Sequence, residues 1–142
     1  MIDKHQRYNS LYMDIADRVS QMSYARRLQV GAVIVKEGRI ISMGWNGMPS
    51  GWDNNCEITL ADGTLKSKPQ VLHAEMNSLM KLAKSNESGD QASIYVTHSP
   101  CIECAKGIHQ AGILKVFYNE KYRSDDGIKF LQKCKIHIEQ IS

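Results

Sequence analysis

Two short clusters in this chain bring together residue types that can share chemistry: His73-Ala74-Glu75, and Pro100-Cys101-Ile102-Glu103-Cys104. Cysteines at i and i+3 share one face of a helix. A helix start adds free backbone N–H groups and a positive field that stabilise thiolates. Cys101 and Cys104 therefore read as a pair of zinc ligands, with Ser99-Pro100 ahead of them as a cap and a proline suited to the first turn. A catalytic zinc needs a third protein ligand and an open fourth position. His73 is the third. One imidazole and two thiolates balance the charge of the metal and leave it acidic enough to bring bound water toward ionisation near neutral pH. Glu75, two residues from His73, is too close in sequence to chelate beside it and reads as a proton shuttle. One zinc per subunit is expected.

A structural zinc site would need a fourth ligand, and neither Cys56 nor His98 stands in a matching position. A lone Cys-x-x-C could also be a redox pair, but His73 and Glu75 favour metal catalysis. Cys56 alone in the segment before His73 argues against a second zinc.

The elements that must position these residues follow from hydrophobic periodicity. Residues 6–22 place Leu11, Ile15, Val19 and Met22 at helical spacing. The run Val30-Gly31-Ala32-Val33-Ile34-Val35, the turn Lys36-Glu37-Gly38 and the run Arg39-Ile40-Ile41-Ser42-Met43-Gly44-Trp45 predict an antiparallel hairpin. Residues 46–72, rich in Gly, Pro, Asn and Asp, predict a long functional loop with an insertion over 56–68. Then come a helix over 73–84, with Ala74, Leu79, Met80 and Ala83 as its buried face, a strand over 92–97 and a helix over 102–111. A strand over 114–118, a helix over 125–133 and a strand near 136–138 complete the order. This alternation predicts an α/β fold, a three-layer α/β/α sandwich around a mixed sheet of about five strands. The 142 residues suit one domain over 1–142.

With 42% apolar and 23% charged residues and 3 prolines, the composition is that of a globular protein, not a disordered or fibrous one. A net charge of +3 is too mild for a nucleic-acid-binding stripe. No apolar run is long enough for a membrane span, and the start Met1-Ile2-Asp3-Lys4-His5 has no signal-peptide core. The expectation is a cytoplasmic protein with no nucleic-acid or membrane partner, whose cysteines serve as metal ligands or free thiols and not as disulfides.

His-x-Glu followed by Pro-Cys-x-x-Cys is the recognised signature of zinc nucleobase deaminases. Three further segments narrow the match: Gln29-Val30-Gly31-Ala32-Val33-Ile34-Val35, Gly44-Trp45-Asn46-Gly47-Met48-Pro49-Ser50-Gly51, and His73-Ala74-Glu75-Met76-Asn77. From residue 12 to 138 the chain resembles the deoxycytidylate (dCMP) deaminases of the cytidine deaminase superfamily. It carries Trp45 where that family often has tyrosine, and Met76 where it often has leucine. The resemblance implies hydrolytic deamination of dCMP to dUMP and ammonia, supplying dUMP for thymidylate synthesis. It also implies that Asn46 bonds the deoxyribose and that Tyr122 lies against the substrate; the Ala74 amide and backbone groups near the Cys101 helix are candidates for holding the base edge. Arg26 and Arg27 are both candidates for the 5′-phosphate, since a guanidinium fork suits phosphate geometry. Family members are commonly homohexamers, activated by dCTP and inhibited by dTTP with Mg²⁺. The segment Gly44, Trp45, Asn46 and Gly47 resembles their allosteric site.

Two other classes share parts of the pattern. A tRNA adenosine or free-base deaminase has the zinc motifs but no need of the 44–51 segment, and an RNA-editing enzyme calls for a more basic surface. A non-catalytic zinc scaffold has no use for a carboxylate at Glu75.

Overall fold

A two-residue turn starts the sheet: Glu37 and Gly38 take φ of 53° and 74°, the left-handed pair that matches strand twist in a tight hairpin. It joins β1 (Gly31–Lys36) to β2 (Arg39–Trp45), which pair antiparallel with a register shift between Ile34 and Val35. In the computed structural model, which describes residues 3–142, β5 (Ser93–His98) lies antiparallel to β1. β6 (Lys115–Glu120) and β7 (His137–Gln140) follow in parallel, giving the mixed order β2-β1-β5-β6-β7. Met1 and Ile2, part of the start read for a signal peptide, lie outside the described residues.

The strand period of two sorts side chains into two cores. Ala32, Ile34, Ile94, Val96, Val116 and Tyr118 face α2 (Ala74–Ala83), α3 (Ile102–Gln110) and α4 (Asp126–Lys133). Val33, Val35, Tyr95 and Phe117 face α1 (Lys4–Ser20). Helices on both faces of a five-stranded mixed sheet make the expected three-layer sandwich. Among the described residues no helix is long and apolar enough to cross a membrane.

The buried helix faces differ from the pattern of the most apolar residues. On α1 the face is Tyr12, Met13, Ala16 and Val19, while Leu11 and Met22 are exposed. The helix is turned by an aromatic cluster, with Tyr12 tilted against Tyr95 at 5.3 Å and Tyr95 stacked on Phe117 at 4.7 Å between ring centroids. Small Ala16 meets the backbone at Gly31, where a Cβ would strike the Ala16 carbonyl. On α2, Ala74 and Leu79 are buried as expected, but Met80 and Ala83 are exposed, and Glu75, Ser78 and Leu82 take the inner face.

The long loop contains a hairpin of its own. β3 (Glu57–Thr59) and β4 (Leu65–Ser67) pair antiparallel through a turn in which Asp62 accepts from the Thr64 amide and hydroxyl. A three-residue strand with one exposed face carries too little periodicity to be read from sequence.

α2 is seated on β2 by Gly44. A Cβ there would stand 2.7 Å from the Ser78 nitrogen and 2.8 Å from the Ala74 oxygen, both backbone atoms. Gly44→Ala is therefore expected to destabilise the protein by about 1–3 kcal/mol, the usual cost of overpacking. Denaturant titration checks it, and unchanged stability would show that α2 is free to shift.

Candidate active site

Two helix starts converge on one side of the sheet. His73 is the N-cap of α2 and Cys101 the N-cap of α3, and neither side chain makes a capping hydrogen bond. Cys104 lies in the first turn of α3. Both ligand-bearing side chains at the caps are thus free to turn toward one another. His73 Nδ1 stands 3.5 Å from Cys101 Sγ and 3.3 Å from Cys104 Sγ, and all three atoms lie within 4.8 Å of one another. Tetrahedral zinc, with Zn–S about 2.3 Å and Zn–N about 2.1 Å, sets N···S separations of roughly 3.6 Å. The three atoms already have ligand spacing, and the donor set fits zinc.

The electrostatics match that use. The Cys104 thiol donates to Cys101, and with His73 alongside it this contact pulls the Cys101 thiol down to about 4. The same shared proton, reinforced by burial, moves Cys104 upward. Contact with Cys101 raises His73. Glu75 is only 4% exposed, and this burial pushes its carboxyl up to about 7. Near neutral pH such a group both accepts and releases a proton readily.

Beside the cluster opens a cavity of about 190 Å³. Its walls include His73, Ala74, Glu75 and Cys101, together with Asn46, Tyr122 and Arg27. Asn46 is locked in place, its Oδ1 accepting from the Val30 amide and its Nδ2 donating to the Leu28 carbonyl, both at 2.8 Å. One amide hydrogen and one lone pair remain for a ligand. Tyr122 is held by its own backbone, whose N–H donates to Ser99 Oγ at 2.7 Å. Ser99 was expected to cap α3; it anchors the Tyr122 loop instead, because Cys101 occupies the cap position.

Other candidates lie elsewhere. Arg26 turns from the cavity toward Asn55 Oδ1 at 3.1 Å and Glu57 Oε1 at 3.4 Å. Gly44 is sealed against α2. Trp45 lies under the Lys81 ammonium, 5.1 Å from its ring centroid. The amides of Asn46 and Gly47 are donated to Val30 and Leu72 carbonyls. Gly44, Trp45 and Gly47 are thus outside the cavity wall.

Sequence reasoning missed the other polar members of that wall, Ser67, Lys68, His98 and Ser99, as well as its apolar ones, Leu28, Val30, Pro69 and Val71. Ser67 and Lys68 arrive on the unread hairpin. The signal for His98 and Ser99 was their place at the end of β5, directly before Pro100.

The sequence profile of the cytidine and deoxycytidylate deaminase zinc-binding region matches residues 6–120. The deoxycytidylate deaminase of Enterobacteria phage T4 is 35% identical, the match covering 80% of this chain and 78% of that protein. The human deoxycytidylate deaminase is 38% identical over 87% of this chain and 71% of its own length. A crystal structure of dCMP deaminase from the cyanophage S-TIM5, in complex with dCMP and dUMP, superposes with a TM-score of 0.89 at 45% identity, covering 99% of this chain and 100% of that one. With the His-Cys-Cys cluster, the buried glutamate and the shared fold in place, this chain belongs to the cytidine and deoxycytidylate deaminase family.

Proposed function

We propose that the protein is a single-domain, zinc-dependent deaminase that converts dCMP to dUMP and ammonia in the cytoplasm. The observation that carries this reading is the burial of Glu75 beside the His73, Cys101 and Cys104 cluster, at a cavity whose wall also holds cationic Arg27 and Lys68. His73, Cys101 and Cys104 would hold zinc, which would supply the Lewis acidity that makes a water nucleophilic toward C4 of the base. Glu75 takes the proton of that water and gives it to N3; it then takes the proton of the new C4 hydroxyl and delivers it to the departing amine, which leaves as ammonia while C4 becomes a carbonyl. Its burial excludes bulk solvent from the transfer. The amide of Ala74, at the start of α2, holds the base edge, and Tyr122 packs against the substrate. Asn46 offers its free N–H and lone pair to the sugar hydroxyl. Arg27 meets the 5′-phosphate; Arg26, turned to Glu57, does not.

The reading extends to a homohexamer in which dCTP with Mg²⁺ activates and dTTP with Mg²⁺ inhibits. Effector contacts then fall to Trp45 and residues 48–51, since Gly44 is sealed and the Asn46 and Gly47 amides are engaged. Opposite effects require each triphosphate to favour a different arrangement of the oligomer. Ammonia release from dCMP, CMP, deoxycytidine, dCTP and adenosine tests the whole reading. dCMP is expected to lead, with sigmoidal saturation that dCTP·Mg²⁺ makes hyperbolic and dTTP·Mg²⁺ suppresses. Preference for adenosine would overturn the substrate. Rates below saturation that ignore both triphosphates would overturn the regulation.

A further inference from the structure

The hairpin β3–β4 carries a carboxylate with no place in the chemistry above. Glu57, at the start of β3, is 1% exposed. Its Oε2 accepts from two successive backbone amides, Arg26 and Arg27, each at 3.0 Å. Its Oε1 accepts no hydrogen bond among the described residues and has the Arg26 Nε at 3.4 Å as its ion-pair partner. Burying a carboxylate is costly unless its environment compensates. A hairpin this short gains little from an ion pair with a half-exposed arginine. The geometry accounts for the group differently, because the two amides it grips belong to the one segment that sends a guanidinium to the cavity.

We infer that Glu57 is the positioning residue of a phosphate-recognition wall made by Arg27, Ser67 and Lys68. The inference rests on the nucleotide reading given above. By pinning the backbone at Arg26 and Arg27, Glu57 fixes where the Arg27 side chain leaves the chain. Arg27 Nη1 then reaches Ser67 Oγ at 3.4 Å on β4. The Lys68 amide donates to the Cys56 carbonyl at 2.8 Å, so the base of Lys68 is tied to the residue beside Glu57. Arg27, Ser67 and Lys68 all line the cavity that holds His73 and Glu75. One guanidinium, one hydroxyl and one ammonium on one wall suit a phosphate monoester. Neither a nucleoside nor a free base has a group to meet them. Glu57 therefore acts on the choice between nucleotide and nucleoside, and on KM, through Arg27 and not by touching substrate.

The test compares Glu57→Ala, the conservative Glu57→Gln and Arg27→Ala in zinc-loaded full-length protein. Binding of dUMP and of deoxyuridine is measured by calorimetry, and dCMP kinetics are measured alongside. A displaced charge-assisted contact costs about 10- to 100-fold. Glu57→Ala should weaken dUMP binding and raise the KM for dCMP by that factor, with far smaller changes in kcat and in deoxyuridine binding. Glu57→Gln keeps an oxygen for the two amides and should recover most of the loss. Adding Glu57→Ala to Arg27→Ala should cost little more than Arg27→Ala alone. Equal weakening of dUMP and deoxyuridine, or a fall in kcat with KM unchanged, overturns the inference. If Glu57→Ala does not fold, Glu57→Gln and Arg27→Ala decide it: Arg27→Ala that binds dUMP as tightly as the parent refutes the wall. A parent that binds dUMP through this wall but does not turn over dCMP refutes the proposed deamination and leaves the wall standing.

Discussion

Glu75→Gln is expected to keep its fold and its zinc while dCMP turnover falls by about 10²–10⁴-fold, the usual contribution of a positioned acid–base group. The amide has nearly the shape of the carboxyl, so the packing of a side chain only 4% exposed is preserved. What is lost is the ability to carry a proton. Burial holds the Glu75 carboxyl near 7, so at neutral pH it can serve both halves of the reaction, taking a proton at the water and releasing it at the base. A glutamine does neither. Ammonia release and elemental analysis on the same sample check this outcome. Turnover near that of the parent would remove Glu75 from the proton path.

The second large effect concerns the ligands. The parent is expected to bind one zinc per subunit, and the double variant Cys101→Ser, Cys104→Ser to bind none and to lose activity altogether. Two thiolates leave with that change, and the remaining His73 cannot hold the metal alone. Both cysteines must be thiolates to hold zinc, and burial with its contact to Cys101 pushes the Cys104 thiol upward, so zinc binding must release that proton and affinity should fall as pH drops. Elemental analysis is decisive here, because stoichiometric zinc in the double variant would place the metal elsewhere.

The candidate site was legible in the sequence wherever function resides in closely spaced side chains. His73, Glu75, Cys101 and Cys104 form two local motifs, each at a helix start, and a helix start is a local property. The sheet was legible for a similar reason: strands buried on both faces, such as Gly31–Lys36, are almost wholly apolar. Legibility failed where partners distant in sequence decide. The face of α1 depends on Tyr12 finding Tyr95, and apolarity alone pointed to Leu11 and Met22. Arg26 and Arg27 are equivalent as text, and what separates them is the pairing of the Arg26 side chain with Glu57 and Asn55, some thirty residues away, which leaves Arg27 at the cavity. The hairpin that brings Ser67 and Lys68 to the cavity has strands of three residues each, too short for a period to register.

The division of the interior into two cores bears on how the protein can change over generations. Among the described residues, none that lines the cavity belongs to the core beneath α1, where Tyr12, Ala16, Val33, Tyr95 and Phe117 pack. The sheet stands between that packing and the metal cluster. Substitutions separated in this way combine close to additively. Variation beneath α1 is therefore screened by folding alone, whereas variation beneath α2 and α3 is screened by folding and turnover together. A lineage can accumulate stability on one side and use it to tolerate experiments in substrate choice on the other.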